Sequence, residues 1–305
     1  MNRETISHKR HWAWLAVAMS APLAHFSGSS WLAVLVAGLI CGCITALLPK
    51  HYESSQNRIW SLLQLLWIIL LTSQLLSLSA SYWPGPKSEW VVPAVLLAAA
   101  AYSCTKRPSR VTGVLFWVLI ILYAPVLIAG VKDVQPRWLL PDSMNLDFWL
   151  IPILLLPCAA KWLNTQGEGK GRYFSIMSFA VVCCMITSGV LSPAVARQLQ
   201  NPMRELSRSL TLGTASRFES AISVILTIGW FSLASLLLRI GGIHCESLNI
   251  RTKTAPWIIA AAAVAVSWTG VQLDGKFAMV LSLFLWVLVP ILNLKKISKK
   301  TEKSP

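Results

Sequence analysis

The sequence predicts an all-α polytopic membrane protein, with about ten transmembrane helices in a 5+5 inverted repeat and with helices one and six broken. Three observations carry that expectation. Of the 305 residues, 55% are hydrophobic and only 13% are charged, against about 25% charged in soluble domains. Ten apolar runs follow one another, separated by short polar loops. Two of those runs, half a chain apart, are short and interrupted by proline, and breaks at matching places in two halves are the mark of an inverted repeat.

The first run, Trp12–Phe26, has fifteen residues with Pro22 inside and Ser27-Gly28-Ser29-Ser30 directly after it. That is short of the roughly 20 residues a straight helix needs to cross a bilayer. Proline removes a backbone donor and frees a carbonyl, and in hydrocarbon those groups need protein or a water-filled cavity to satisfy them. Trp31–Leu48 and Ile59–Ala80 follow. The third run carries Gln64, Ser73, Gln74 and Ser77, and intramembrane glutamines read first as ties between helices. After the aromatic turn Tyr82-Trp83-Pro84-Gly85-Pro86 come Trp90–Cys104 and Val111–Val131, which close a first repeat over about 12–131.

The second repeat covers about 148–294. It opens with Phe148–Leu163, sixteen residues containing Pro152 and Pro157, in the place equivalent to the first run. Gly167-Glu168-Gly169-Lys170-Gly171 reads as a flexible loop, and it lacks the spacing and the Lys-Ser/Thr ending of a phosphate-binding loop. Tyr173–Val195 follows. Asn201-Pro202 then reads as a helix start with proline in the first turn, and Met203, Leu206 and Leu210 give an amphipathic helix lying at the outer surface. The last runs are Phe218–Leu238, Ala255–Val271 and Phe277–Leu294, before a basic tail, 295–305.

Charge fixes the expected orientation. Alternate loops carry 19 Lys and Arg on one side and 8 on the other, so the positive-inside rule places both termini in the cytoplasm. The net charge of +15 therefore reports topology and contact with anionic lipid headgroups, and it points away from nucleic acid as a partner. Arg3, Lys9 and Arg10 before the first run resemble a secretory signal, but its removal would leave an odd number of spans, against the charge count.

The chemistry-bearing residues are few. Asp133, Asp142, Asp147, Glu219 and Asp274 all sit at the ends of runs, whereas a pump relying on a mid-membrane carboxylate would place one inside. The seven cysteines show no metal-ligand spacing and read as small apolar fillers, with Cys245 in a loop. His25 is the histidine read beside an apolar run. Nothing pairs a nucleophile with a base, so the expectation is a protein that is not an enzyme and uses neither metal nor cofactor.

In the eighth run Ser216, Ser220, Ser223 and Thr227 fall at i, i+4, i+7 and i+11, each within about 40° of Ser216 on a helix. Such a hydroxyl stripe suits close helix packing, with hydroxyls bonded to their own backbone, or the lining of a polar site. The candidate ligand site joins Ser20, Ala21 and Pro22 of the first break, Pro152 of the second, and Ser223 and Thr227. Broken helices offer backbone N–H and C=O groups, and no fixed side-chain charge is present, which suits a zwitterion. Arg217 and Glu219 are a candidate gate or interface pair.

Several stretches resemble the spore germination permeases, the B subunits of nutrient germinant receptors within the amino acid–polyamine–organocation superfamily. They are Pro202-Met203-Arg204-Glu205-Leu206, Ala215-Ser216-Arg217-Phe218-Glu219-Ser220, Ile228 to Leu238, Ser29 to Gly38, and Thr105-Lys106-Arg107-Pro108-Ser109-Arg110 with the run ending at Leu139-Leu140-Pro141. The chain departs from that pattern in its first run, which lacks a second half-helix before Ser27-Gly28. The resemblance implies binding of a small amino acid or amine, an A-type membrane subunit and a C-type lipoprotein as partners, and residence in the spore inner membrane or cell membrane of a spore-forming bacterium. Two other functions fit the same residues: a secondary amino acid transporter, and a membrane scaffold with a degenerate pocket.

Overall fold

A computed structural model describes residues 31–32, 35–36, 38–40, 43, 58–80, 88–105, 108–140, 169–199, 202–212, 215–216, 219–271 and 275–289. The described chain is predominantly helical. Its elements are α1 (Arg58–Ala80), α2 (Ser88–Thr105), α3 (Pro108–Asp133), a 3-10 turn (Pro136–Leu139), α4 (Gly169–Leu191), α5 (Pro193–Gln198), α6 (Pro202–Ser209), α7 (Glu219–Ser247), α8 (Ala255–Trp268) and α9 (Gly275–Leu283), which runs into a π-helical turn (Phe284–Leu288). Between α6 and α7 the strands β1 (Thr211–Leu212) and β2 (Ala215–Ser216) pair antiparallel. Residues of the second run are helical at 31–32, 35–36, 38–40 and 43. The first run and the whole sixth run, with both expected breaks, lie outside the described residues.

Two helices, Arg58–Ala80 and Ser220–Ser247, are long and apolar enough to cross a membrane, and Trp90–Thr105, Val181–Leu191 and Ala255–Trp268 are shorter apolar helices. Helix boundaries follow local chemistry. Pro108, Pro193 and Pro202 each stand at the first position of a helix, where the missing N–H costs nothing. The seventh run, expected to continue to Val195, breaks at Ser192, which takes φ 66°. Pro193 cannot donate into the preceding turn and restricts the residue before it, so α4 stops at Leu191 and α5 starts afresh. Gly169, Lys170 and Gly171 form the first turn of α4 and are not a loop.

The residues form two compact units, with α7 contributing to the first through Ser235 and to the second from Leu236. In the first unit α3 is apolar all round yet two-faced. Leu119, Tyr123, Val126 and Gly130 are buried, while Val114, Trp117, Ile121, Ile128 and Val131 are each more than 60% exposed. The exposed set falls within about 100° of arc and the buried set lies opposite. Tyr123 meets Phe179 of α4 edge to face, with ring centres 5.3 Å apart. Beyond α3, the Gln135 N–H donates to the Gly189 carbonyl at 2.8 Å, and the Trp31 indole donates to the Leu139 carbonyl at 2.8 Å. The amphipathic α6 does form from Pro202, but its apolar face is buried in protein: Met203, Leu206 and Leu210 are at most 2% exposed, and the Thr187 hydroxyl reaches the Met203 sulfur at 3.6 Å.

In the second unit α8 packs against α1 and α2. Ser77 and Ser267 share a hydrogen bond of 2.9 Å, and the Gln74 amide donates to the Val271 carbonyl at 2.6 Å. Lower down, Gly241 of α7 lets Ile259, Ile68 and Leu65 meet. Position 77 thus pairs with 267 while 65–68 lies near 259, so α1 and α8 run parallel.

Gly130 is tight against α4, since a Cβ there would collide with Ile186, a β-branched side chain with little rotamer freedom. Gly130→Ala is expected to destabilise by about 1–3 kcal/mol through overpacking, net of a helix-propensity gain near 1 kcal/mol. Thermal melting of the purified full chain in detergent measures it; an unchanged or raised melting temperature contradicts the contact.

Candidate functional site

Of the residues expected at the ligand site, Ser20, Ala21, Pro22 and Pro152 lie outside the described residues. Ser223 and Thr227 stand one turn apart on α7, Ser223 exposed and Thr227 half-buried. The Thr227 hydroxyl donates to the Ser223 carbonyl at 2.8 Å. Its one hydrogen is therefore engaged, and what it offers a ligand is an acceptor lone pair. Ser216 does not belong to the stripe: it pairs with Thr211 in the hairpin, and α7 begins only at Glu219. Arg217 lies outside the described residues, and Glu219 opens α7.

The glutamines act as ties. The Gln64 amide, 1% exposed, donates to the Leu285 carbonyl at 3.0 Å, and Gln74 engages Val271 as described. Leu285 belongs to the π turn, where the hydrogen-bonding step changes from i+4 to i+5, and Gln64 ties that turn to α1. Trp60, one turn before Gln64, meets Phe284 edge to face with centres 6.2 Å apart.

The largest departure from the sequence expectation is in α7. The eighth run was expected to end at Leu238, with Arg239 in the following loop. Instead α7 continues to Ser247, because Ile240, Gly241, Gly242, Ile243 and Cys245 are compatible with a buried helix around that single charge. This brings His244 and Cys245 inside, 0% and 1% exposed, and corrects both the loop placement of Cys245 and the choice of His25 as the histidine beside an apolar run. The His244 ring meets Trp286 of the π turn at 5.7 Å and 72°. A helix continuing three residues per side beyond a lone arginine was the signal available, since His244 lies seven residues from Leu237 on one face.

In the second unit the indole N–H groups of Trp67 and Trp286 and the hydroxyl of Ser282 are buried without a hydrogen-bond partner among the described residues. The described residues hold no group of three or more His, Cys, Asp or Glu able to bind a metal. The chain matches no protein-family model and no curated protein.

Replacing Gln64 by leucine keeps the volume and removes the donor to Leu285. The expected cost is about 1–3 kcal/mol, the penalty for a buried acceptor left unpaired, with faster amide exchange over residues 284–289. Exchange unchanged across that segment would show that the π turn does not depend on Gln64.

Proposed function

We propose that the chain is a ten-span membrane protein with both termini in the cytoplasm, which binds a small amino acid or amine as the permease-like subunit of a germinant receptor. The observation that carries the membrane part is the exposed stripe of α3. Five large apolar side chains on one face of a helix of 26 residues, about 39 Å long, are costly in water and at rest against lipid. The tryptophans support it: Trp90 and Trp268 at the ends that α2 and α8 turn toward Gln74, and Trp257 at the opposite end of α8, are exposed, as in an interfacial aromatic belt.

Parallel α1 and α8 support the ten-span count, since in it the third and ninth runs, with five spans between them, cross in the same direction. The 5+5 repeat with broken first and sixth helices, the nutrient ligand and the A-type and C-type partners rest on the sequence pattern and the resemblance. The ligand chemistry is refined by α7. Thr227 presents an acceptor, which suits an ammonium group, and no side-chain charge stands along the Ser220–Thr227 face. The scaffold reading draws on the same bond: a threonine hydroxyl turned to its own backbone is also how a purely packing residue behaves.

Two measurements check this. In a background with native cysteines replaced, cysteine at Gly85 is expected to react with an impermeant reagent outside intact cells and cysteine at Lys303 to be protected; the reverse pattern overturns the orientation. Thr227→Val combined with Ser223→Ala is expected to weaken amino acid or amine binding about tenfold or more, the loss of a hydrogen bond to a charged group of about 1.5–3 kcal/mol. Unchanged affinity at equal expression would move the scaffold reading ahead.

A further inference from the structure

We propose that α6 has two positions, docked on the first unit as the structure holds it and released onto the lipid surface, and that Ser192 is the strained hinge between them. The proposal rests on the reading of the chain as a membrane protein and adds to it a moving element.

The hinge is a single torsion. Ser192, between α4 and α5, has φ 66° and ψ 148°, a combination essentially confined to glycine. Its ψ lies in the range that a following proline demands, about 120–160°, whereas its φ lies far from the accompanying value near −120°. Rotation about the N–Cα bond of Ser192 alone therefore relieves the strain, and it redirects α5 away from the end of α4. The neighbouring backbone bonds do not resist that rotation. Gly189 accepts from Gln135 at 2.8 Å on the α4 side of the torsion, and Ala196 donates to the Ser192 carbonyl at 3.0 Å on the α5 side. Pro193 has no N–H to lose.

Burial holds the strained position. Ala196 of α5 is buried, as are Met203 and Leu206 of α6 and Leu210 just after it, and the Thr187 hydroxyl of α4 reaches the Met203 sulfur. A residue other than glycine keeps such a torsion only where the surrounding packing imposes it. The hinge and the apolar face of α6 thus oppose each other, and weakening one shifts the balance.

The apolar face of α6 also has a second place to go. Met203 and Leu206 are buried while Arg204 and Glu205 are half-buried and Arg208 is exposed, with Arg208 and Glu205 joined at 2.7 Å. In the ten-span topology this helix lies at the outer membrane surface, where a helix of that pattern rests with its apolar side in the lipid. Beyond it β1 packs on α3, so α6 is tethered at both ends and moves as a strap.

The test uses the full chain in lipid nanodiscs with 13C-methyl methionine, the Met203 signal being assigned through Met203→Leu. Ser192→Gly adopts the observed torsion without strain, so amide exchange at residues 206–210 is expected to slow about tenfold. Ser192→Val puts a β-branched residue at positive φ. It is expected to speed the same exchange and to bring the Met203 methyl within reach of a nitroxide carried on the lipid, with no added broadening by a water-soluble gadolinium chelate. Unchanged exchange in Ser192→Gly overturns the hinge, and broadening by the chelate in place of the nitroxide overturns the lipid destination. Should Ser192→Val fail to insert, Leu206→Ala weakens the docking from the other side and must give the same faster exchange and lipid contact; without them the two-position helix is overturned. Failure of the membrane reading shows separately, as access of a water-soluble nickel complex to Val114 and Ile128 of α3, while the effect of Ser192→Gly on exchange is read in either case.

Discussion

The hydrogen bond from Gln64 to the Leu285 carbonyl is the interaction on which the second unit most depends. A π turn changes the hydrogen-bonding step of the helix from i+4 to i+5, and a carbonyl within it can accept a second bond from a side chain. Gln64 supplies it from α1, 221 residues away in sequence. With that bond in place, Trp60 meets Phe284 edge to face and the π turn packs against α1. The same logic recurs where Gln74 reaches Val271 and where Ser77 meets Ser267. Side-chain amides and hydroxyls tie helices whose remaining contacts are apolar and non-directional, which fixes their register as well as their proximity.

The first unit solves the same constraint with backbone groups and close approach. Gly130 brings α3 against Ile186, and Gly189 accepts from Gln135 while leaving room for Val134 and Leu139. One face of α3 is thereby used up, and the opposite face is left as a continuous strip of Val, Trp and Ile. Such a strip would be a liability in water. Against lipid it is the ordinary surface of a spanning helix, where association comes from packing and polar ties rather than from the hydrophobic effect.

Much of this was legible in the sequence, for physical reasons that can be named. The α1, α2, α3 and α8 helices begin within three residues of their apolar runs, because charge and proline end such runs sharply. Pro202 marked the start of α6, and Gln64 and Gln74 read as ties because a buried amide in an apolar helix has few other uses. Three features were not legible. The strand pair took Ser216 out of the hydroxyl stripe, because Ser216 pairs with Thr211 before the helix begins at Glu219. The π turn leaves no trace in a uniformly apolar sequence such as Phe284-Leu285-Trp286-Val287-Leu288. His244 was missed because a single Arg239 was read as the membrane boundary, whereas one charge among apolar residues does not stop a helix. Of the candidate ligand site, Ser223 and Thr227 fall among the described residues on one turn of α7, and the partners expected from the two broken helices fall outside them.

The central claim is that the exposed face of α3 meets lipid. Spin labels placed singly along α3 in the bilayer-reconstituted chain test it through collision with oxygen, which concentrates in hydrocarbon, and with a water-soluble nickel complex. The account predicts high oxygen and low nickel accessibility at Val114, Trp117, Ile121 and Ile128, and low values of both at Leu119 and Val126. Nickel accessibility along the Val114–Ile128 stripe would contradict it, because that face would then meet water.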